Sequence, residues 1–139
     1  MISRTEYLTI TTPTRYEIRD ITAEVERVCR EARLHDGFVL VSTMHITSSI
    51  FVNDHESGLW SDIMTWLEGL APAGEDYRHH LTGEDNADAH LKRMLLGHQV
   101  LVPVTNGALD LGPWERVHYG EFDGRRPKRI LLKAFGVGA

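Results

Sequence analysis

The chain has little of what would staple, anchor or charge it toward one obvious partner. Cys29 is the single cysteine among 139 residues, so no internal disulfide can form. A lone thiol fits a reducing, cytoplasmic compartment. No apolar run comes near the roughly 20 residues needed to cross a bilayer. The N-terminus "MISRTEYLTITTPTRY" lacks the apolar centre of a secretory signal. A basic excess is also missing. The formal net charge is −5 with both signs spread along the chain, which argues against generic nucleic-acid binding. HExxH, paired CxxC, an EF-hand loop, a Walker loop and GxGxxG are all absent.

Apolar residues are plentiful. At 42% hydrophobic, the chain can build a core without disulfides, and a domain of this length hides roughly two thirds of its unfolded surface. No repeat, low-complexity tract or linker interrupts it, so residues 1–139 read as one domain. Eight histidines stand out: His35, His45, His55, His79, His80, His90, His98 and His118. Imidazole is the side chain suited to metal binding or to proton transfer near neutral pH.

The pattern predicts clustered strands and helices. "EYLTITTPTRYEIRDI" reads as a strand, a turn near Pro13 and a second strand. "ITAEVERVCREARL" puts Ile21, Val25, Val28, Cys29 and Ala32 on one helical face, with Asp20 or Thr22 as cap. "GFVLVST" and "SSIFVND" form a second strand pair with His45 between them. "GLWSDIMTWLEGL" is a helix capped by Ser57 and stopped at Pro72 and Gly74. Residues 75–85 read as a loop and "NADAHLKRMLLG" as a third helix. Strands follow at 100–104, in "WERVHYGEF" and in "RILLKAFG", with turns at "TNGALDLG" and Asp123-Gly124. This order predicts an α+β fold with a largely antiparallel sheet.

Several polar groups admit both a structural and a chemical reading. Asn86 and His90 are four apart and share a helix face, where His90 borders core and solvent. His79 and His80 are neighbours whose side chains point apart. His45 precedes Thr47, Ser48 and Ser49, either a site lip or a hydroxyl-rich turn. Asn53, Asp54, His55 and Glu56 can form a turn or offer oxygens to a hard cation. "GEFDGRRPKR" combines Glu121 and Asp123 with a run of basic residues. It is either a solvated hairpin tip or a phosphate-binding arginine pair. Trp60, Trp66 and Trp114 are expected in the core or in subunit contacts.

In series, these stretches resemble one family. "HITSSIFVND" resembles His-Thr-Thr-Ala-Ala, an apolar run and Asn-Glu. "YRHHLTGEDNADAHLKRMLLG" resembles Tyr-x-His, then Asn-Ala-x-x-His-Leu-Lys, then Gly. "VPVTNGALDLGPWERVHYGEFDG" resembles Pro-Val-x-x-Gly-x-Leu-x-Leu-Gly-Thr-Trp-Gln, ending in Glu-x-Asp-Gly and arginines. The chain therefore resembles the YjbQ-like family, also labelled secondary thiamine-phosphate synthase. The resemblance implies a compact α+β, largely antiparallel β-sandwich with three helices, assembled as a homotrimer. It also implies a histidine-rich pocket holding a divalent metal (Mg2+ or Zn2+) or an anion. Carried over residue by residue, His45, His79 and His90 are its catalytic or metal-binding centre, with Asp54 and Glu121 as further metal ligands. Thr47, Ser48, Asn53, Asn86, Lys92 and Arg126 are its substrate or phosphate contacts. Trp114 matches the C-terminal stretch. Ile46, Ala108, Pro113 and Glu115 depart from the pattern, and His80 stands at a variable position.

Three functions follow as expectations. The first joins a pyrimidine methyl diphosphate to a thiazole phosphate and releases pyrophosphate. The second is a metal-dependent hydrolase, in which three imidazoles lower the pKa of bound water toward roughly 7. The third is a non-catalytic trimer that binds a small ligand or metal. In the enzymatic readings the partners are self and a small phosphorylated substrate, with no nucleic acid and no membrane.

Overall fold

The computed structural model describes residues 1–139. Its strands are β1 (Ile2–Ile10), β2 (Glu17–Asp20), β3 (Leu34–Thr43), β4 (Ser48–Asn53), β5 (Gln99–Thr105), β6 (Ala108–Leu109), β7 (Arg116–Glu121) and β8 (Lys128–Gly138). Its helices are α1 (Thr22–Glu31), α2 (Ser57–Leu70) and α3 (Ala87–Leu96). Residues 75–85, expected as a loop, contain a 3-10 turn at Arg78–Thr82. No helix is long and apolar enough to cross a membrane.

Two antiparallel sheets share one core. The wider runs β1-β8-β3-β5-β6 and the narrower β2-β7-β4. Alternation along the strands turns Val39, Val41, Val102, Ile130 and Leu132 toward Ile50, Val117 and Tyr119 of the facing sheet. α1 adds Val25, Val28 and Cys29 to that cluster, as its periodicity predicts. Asp20 Oδ1 accepts the Thr22 N–H at 2.8 Å where α1 begins. A smaller cluster of Leu67, Ala89 and Phe122 joins α2 and α3 to the other face of the narrow sheet.

The cap of α2 is not Ser57. The Glu56 carboxylate accepts the N–H groups of Gly58 and Leu59 and so satisfies two of the free amides at the helix start. The β5–β6 hairpin turns through Asn106 and Gly107, both at positive φ (52° and 81°), the conformation a two-residue hairpin of this hand requires.

The strand pairs expected from local pattern differ in the structure. β1 and β2 lie in different sheets, as do β3 and β4, and β7 and β8. Each short connection is a crossover and not a hairpin. All three crossovers meet at one end of the molecule. Ile10 at the end of β1 faces Lys128 at the start of β8. Thr43 at the end of β3 faces Ile130. Glu121 at the end of β7 faces both Glu17 and Ser48, the first residues of β2 and β4. Segments 11–16, 44–47 and 122–127 are therefore neighbours in space.

Candidate functional site

The crossover end carries a cavity of about 230 Å3 lined by His45, Ile46, Thr47, His79, Glu84, Asn86, His90 and Arg126. The connection between β3 and β4 supplies His45 and Thr47. The 3-10 turn supplies His79, the start of α3 supplies Asn86 and His90, and the connection before β8 supplies Arg126. Residues 45, 79 and 90 thus line one space, with the rings of His79 and His90 packed edge to face at 4.8 Å.

Beneath the cavity lies a buried polar chain. Lys128 and Glu121 are an ion pair with both side chains closed to solvent. The Tyr119 hydroxyl donates to the other Glu121 oxygen at 2.7 Å. Lys128 Nζ also donates to Thr47 Oγ1 at 2.9 Å, and Thr47 Oγ1 lies 2.9 Å from His45 Nδ1. The tautomer of His45 follows from this arrangement. Thr47 is buried and accepts a hydrogen bond from Lys128, so its own hydroxyl hydrogen needs an acceptor, and His45 Nδ1 is the one beside it. A neutral His45 then carries its proton on Nε2. Burial, helped by the nearby Lys128 and Arg126 charges, holds His45 below the ordinary imidazole value, which favours that neutral form. Burial and the neighbouring His79 do the same to His90. Arg93 fixes the loop by donating to the His45 carbonyl.

A second chain holds the opposite wall. His79 Nε2 is 3.2 Å from Asn86 Oδ1, an acceptor, so that nitrogen donates. Asn86 Nδ2 in turn donates to Asp123 Oδ2 at 3.0 Å, and Arg126 pairs with the same carboxylate. Burial pushes Asp123 up, but Asn86 and Arg126 outweigh it and hold its carboxyl below the usual range. Asn86 occupies the helix-cap position of α3, yet its side chain serves this chain instead. The capping role falls to His80, whose Nε2 accepts the Ala87 N–H at 3.2 Å. The two adjacent histidines point apart, one to the cavity and one to the helix.

Other expected contacts lie elsewhere. Lys92 is buried between Asp88 and Glu68, 2.6 Å from each, and sits over the Tyr16 ring. It locks α3 to α2 and does not line the cavity. Asn53 and Asp54 end β4 beside Arg116, the opposite end from Ser48, and Asn53 Oδ1 accepts the Asp54 N–H at 2.8 Å. Ser48 turns inward to Thr43 Oγ1 at 2.6 Å. Glu121 reaches the cavity only through Lys128 and Thr47. Trp114 and Trp66 are exposed, which rules out the core for them and leaves the subunit contact that was the other expectation. Lys128, Asp123 and Glu84 belong to the site although the sequence pattern does not single them out as site residues. The motif "GEFDGRRPKR" contained two of them, but only the crossover shows which charges turn inward.

The ring nitrogens of the crossover histidines divide between fixed and free. His45 Nδ1 and His79 Nε2 are engaged by Thr47 and Asn86, which orients the rings and leaves His45 Nε2 and His79 Nδ1 as the nitrogens open to a ligand. The expected carboxylate ligands Asp54 and Glu121 are, respectively, remote from the cavity and committed to Lys128. The group of three donors whose ligand atoms lie within 4.8 Å of one another is Asp20, His55 and His118, outside this cavity.

The sequence profile of the family described as UPF0047 protein YjbQ-like matches residues 6–137. A UPF0047 protein of Archaeoglobus fulgidus is 50% identical over 127 residues, covering 91% of this chain and 98% of that one. One from Methanothermobacter thermautotrophicus is 41% identical over 95% of this chain and 92% of its own. Among solved structures, a protein of unknown function from Sulfolobus solfataricus superposes with a TM-score of 0.92 at 30% identity, covering 97% of this chain and 98% of that one. A hypothetical protein from Aeropyrum pernix gives a TM-score of 0.90 at 31% identity, with coverages of 98% and 99%.

Proposed function

The chain belongs to the YjbQ-like UPF0047 family, and from that premise we propose that its crossover cavity receives the phosphoryl end of a small phosphorylated ligand. The chain of hydrogen bonds from Lys128 through Thr47 to His45 carries this reading. It presents a neutral Nε2–H donor at neutral pH to the cavity that the Arg126 guanidinium also lines. A fixed N–H and a guanidinium are the groups that recognise a phosphate oxygen.

The reaction that suits this arrangement is substitution at the carbon bearing a diphosphate. The bond from a pyrimidine methyl carbon to the diphosphate oxygen breaks, and the electron pair leaves with pyrophosphate. The ring nitrogen of a thiazole phosphate takes the vacated position, giving thiamine phosphate. His45 donates to the oxygen on which charge builds, and Arg126 offsets part of that charge. Such preorganised donors speed the reaction in so far as they hold the charge of the departing pyrophosphate more strongly than the intact diphosphate.

At about 230 Å3 the cavity is smaller than the roughly 300 Å3 at which whole-ligand pockets begin. Its rim bears the exposed apolar residue Ile46, next to exposed Met44. The outer face of the wide sheet exposes Phe38, Leu101 and Phe135 as well. Uncovered apolar surface of this kind marks an association site. Assembly as a homotrimer gives that face a partner, and a second copy near Ile46 supplies the remaining wall of the pocket.

The test is calorimetric titration with inorganic phosphate and pyrophosphate, followed by an assay for thiamine phosphate formation. His45→Ala and Arg126→Ala each weaken anion binding at least tenfold, and His80→Ala leaves it unchanged. Anion affinity that is unaltered in His45→Ala sinks the proposal. Anion binding without thiamine phosphate formation removes the transferase reaction and leaves a binding site.

A further inference from the structure

A second cluster of imidazole and carboxylate lies on the other side of the narrow sheet. His118 of β7 sits directly across from Asp20 of β2 on one side and Phe51 of β4 on the other. His55, in the loop after β4, brings Nδ1 to 3.3 Å from Asp20 Oδ2. The rings of His55 and His118 are nearly parallel, 6.2 Å apart at 11°. Trp60 of α2 closes edge-on against both, at 4.8 and 5.4 Å.

His118 is 0% exposed and neither of its ring nitrogens has a hydrogen-bond partner. A buried polar atom left this way costs roughly 1–3 kcal/mol. The phenyl ring of Phe51, stacked at 5.1 Å, offers it nothing polar. One donor atom from each of His118, His55 and Asp20 lies within 4.8 Å of the other two. Ligands bound to one Zn2+ at about 2.0–2.2 Å stand roughly 3–3.5 Å apart, so a modest closing of the His55 loop brings all three into range. His55 is exposed enough to make that movement. Asp20 Oδ1 is held by the Thr22 N–H. Asp20 Oδ2 also accepts from Arg116 Nε at 2.8 Å. That bond uses one lone pair and leaves the other toward His55, with the half-exposed guanidinium free to swing to solvent.

We propose that Asp20, His55 and His118 bind one divalent transition-metal ion of the zinc class, with His118 as the buried anchor and a position open to water. Two imidazoles and one carboxylate are a borderline donor set that suits Zn2+ or Co2+ over Mg2+ or Ca2+, which prefer oxygen. The site faces away from the crossover cavity. His118 lies three residues before Glu121 on β7, and three residues along a strand place opposite faces about 10 Å apart.

The experiment uses the tag-free full chain titrated with Zn2+ by calorimetry and with Co2+ by visible absorption. Wild type binds one ion per chain and gives the intense Co2+ bands of a low-coordinate site. His55→Ala, an exposed and structurally mild change, weakens both at least tenfold. His90→Ala binds as wild type does, and Co2+ quenches Trp60 fluorescence in a Trp66→Phe, Trp114→Phe background. The proposal is overturned if wild type binds no ion, if His55→Ala binds as tightly, or if His90→Ala loses the ion. The last result would place the metal in the crossover cavity instead.

Discussion

Replacing Lys128 by Met removes the ammonium that holds Thr47. It also leaves the Glu121 carboxylate fully buried, with only the Tyr119 hydroxyl and the Asp123 N–H as partners. Breaking one half of a buried ion pair costs about 3–5 kcal/mol, because the remaining charge is uncompensated. Domains are stable by about 5–15 kcal/mol in all, so this variant loses roughly a fifth of its margin at the least. At roughly 3–4 °C per kcal/mol for a chain of this length, the melting temperature falls by about 10–20 °C. Lys128→Met/Glu121→Gln removes both charges, keeps the Tyr119 hydrogen bond and recovers most of the loss. The tautomer separates the two roles of the pair. Without the Lys128 donor, Thr47 Oγ1 becomes free to accept from His45 Nδ1–H, and the proton leaves Nε2. Nitrogen-15 NMR of the His45 ring then moves from the Nε2–H pattern toward Nδ1–H in the single and double variants alike, and phosphate affinity falls in both. Denaturant unfolding measures the stability arm. The reasoning is refuted by a single-variant loss below about 1 kcal/mol, the range of an exposed pair, or by a His45 tautomer unchanged in both variants.

Three further outcomes are expected. His80→Ala removes the acceptor at the start of α3 and lowers stability by about 1 kcal/mol, in the range of a lost helix cap, while thermal melts show phosphate still stabilising the fold as before. Stability declines as pH falls through the ordinary histidine value of 6.5, because burial lowers His45, His90 and His118 in the fold and the unfolded chain therefore binds more protons. The decline flattens below their folded values, and a urea series from pH 8 to about 5 reads it. On the proposal that the outer face of the wide sheet is the homotrimer contact, Leu101→Lys on β5 gives a monomer in light scattering without lowering the helix content seen by circular dichroism, and a wild type that is itself monomeric removes that proposal.

Local pattern specified the elements better than their partners. The helical face of Val25, Val28 and Cys29, the third helix and the Asn106-Gly107 turn were all legible, because each depends on residues a few positions apart. Sheet membership was not. Thr43 and Ser48 are separated by four residues, the spacing of a hairpin, yet they sit in facing sheets. The choice depends on β8 and β7, which pair Ile130 with Thr43 and Glu121 with Ser48 across distant parts of the chain and so claim β3 and β4 respectively. For the same reason His45 and Arg126 could be named as site residues, while Lys128 could not be told from the solvated basic run around it. Arg125, Arg126, Lys128 and Arg129 look alike in sequence. Only Lys128 is at an inward-facing strand position opposite Ile10, and so only it meets Glu121. Lys92 erred the other way. It matched the family motif beside His90, but two positions along a helix turn the side chain to a different face, toward Asp88 four residues earlier.

The two sites are linked by the parity of one strand. Along β7, Val117, Tyr119 and Glu121 point between the sheets, and His118 and Gly120 point under α2, as Phe122 does just beyond the strand end. Glu121 therefore meets Lys128 and the crossover cavity, and His118 meets Asp20 and His55. A slip of one residue would exchange the faces. It would bury the His118 ring among valines and set Glu121 beneath the apolar helices, with no cation to meet it. Gly120 guards against that slip. A Cβ there would stand 2.4 Å from Ser49 Oγ and 3.1 Å from the Phe122 ring, so any larger residue on the α2 side has to turn the Ser49 hydroxyl away and displace Phe122. Ser49 in turn precedes Ile50, whose side chain enters the core. The register that builds the core is the register that builds both polar clusters, and the tight fit at Gly120 favours it in a strand whose alternation of apolar and polar residues is otherwise weak.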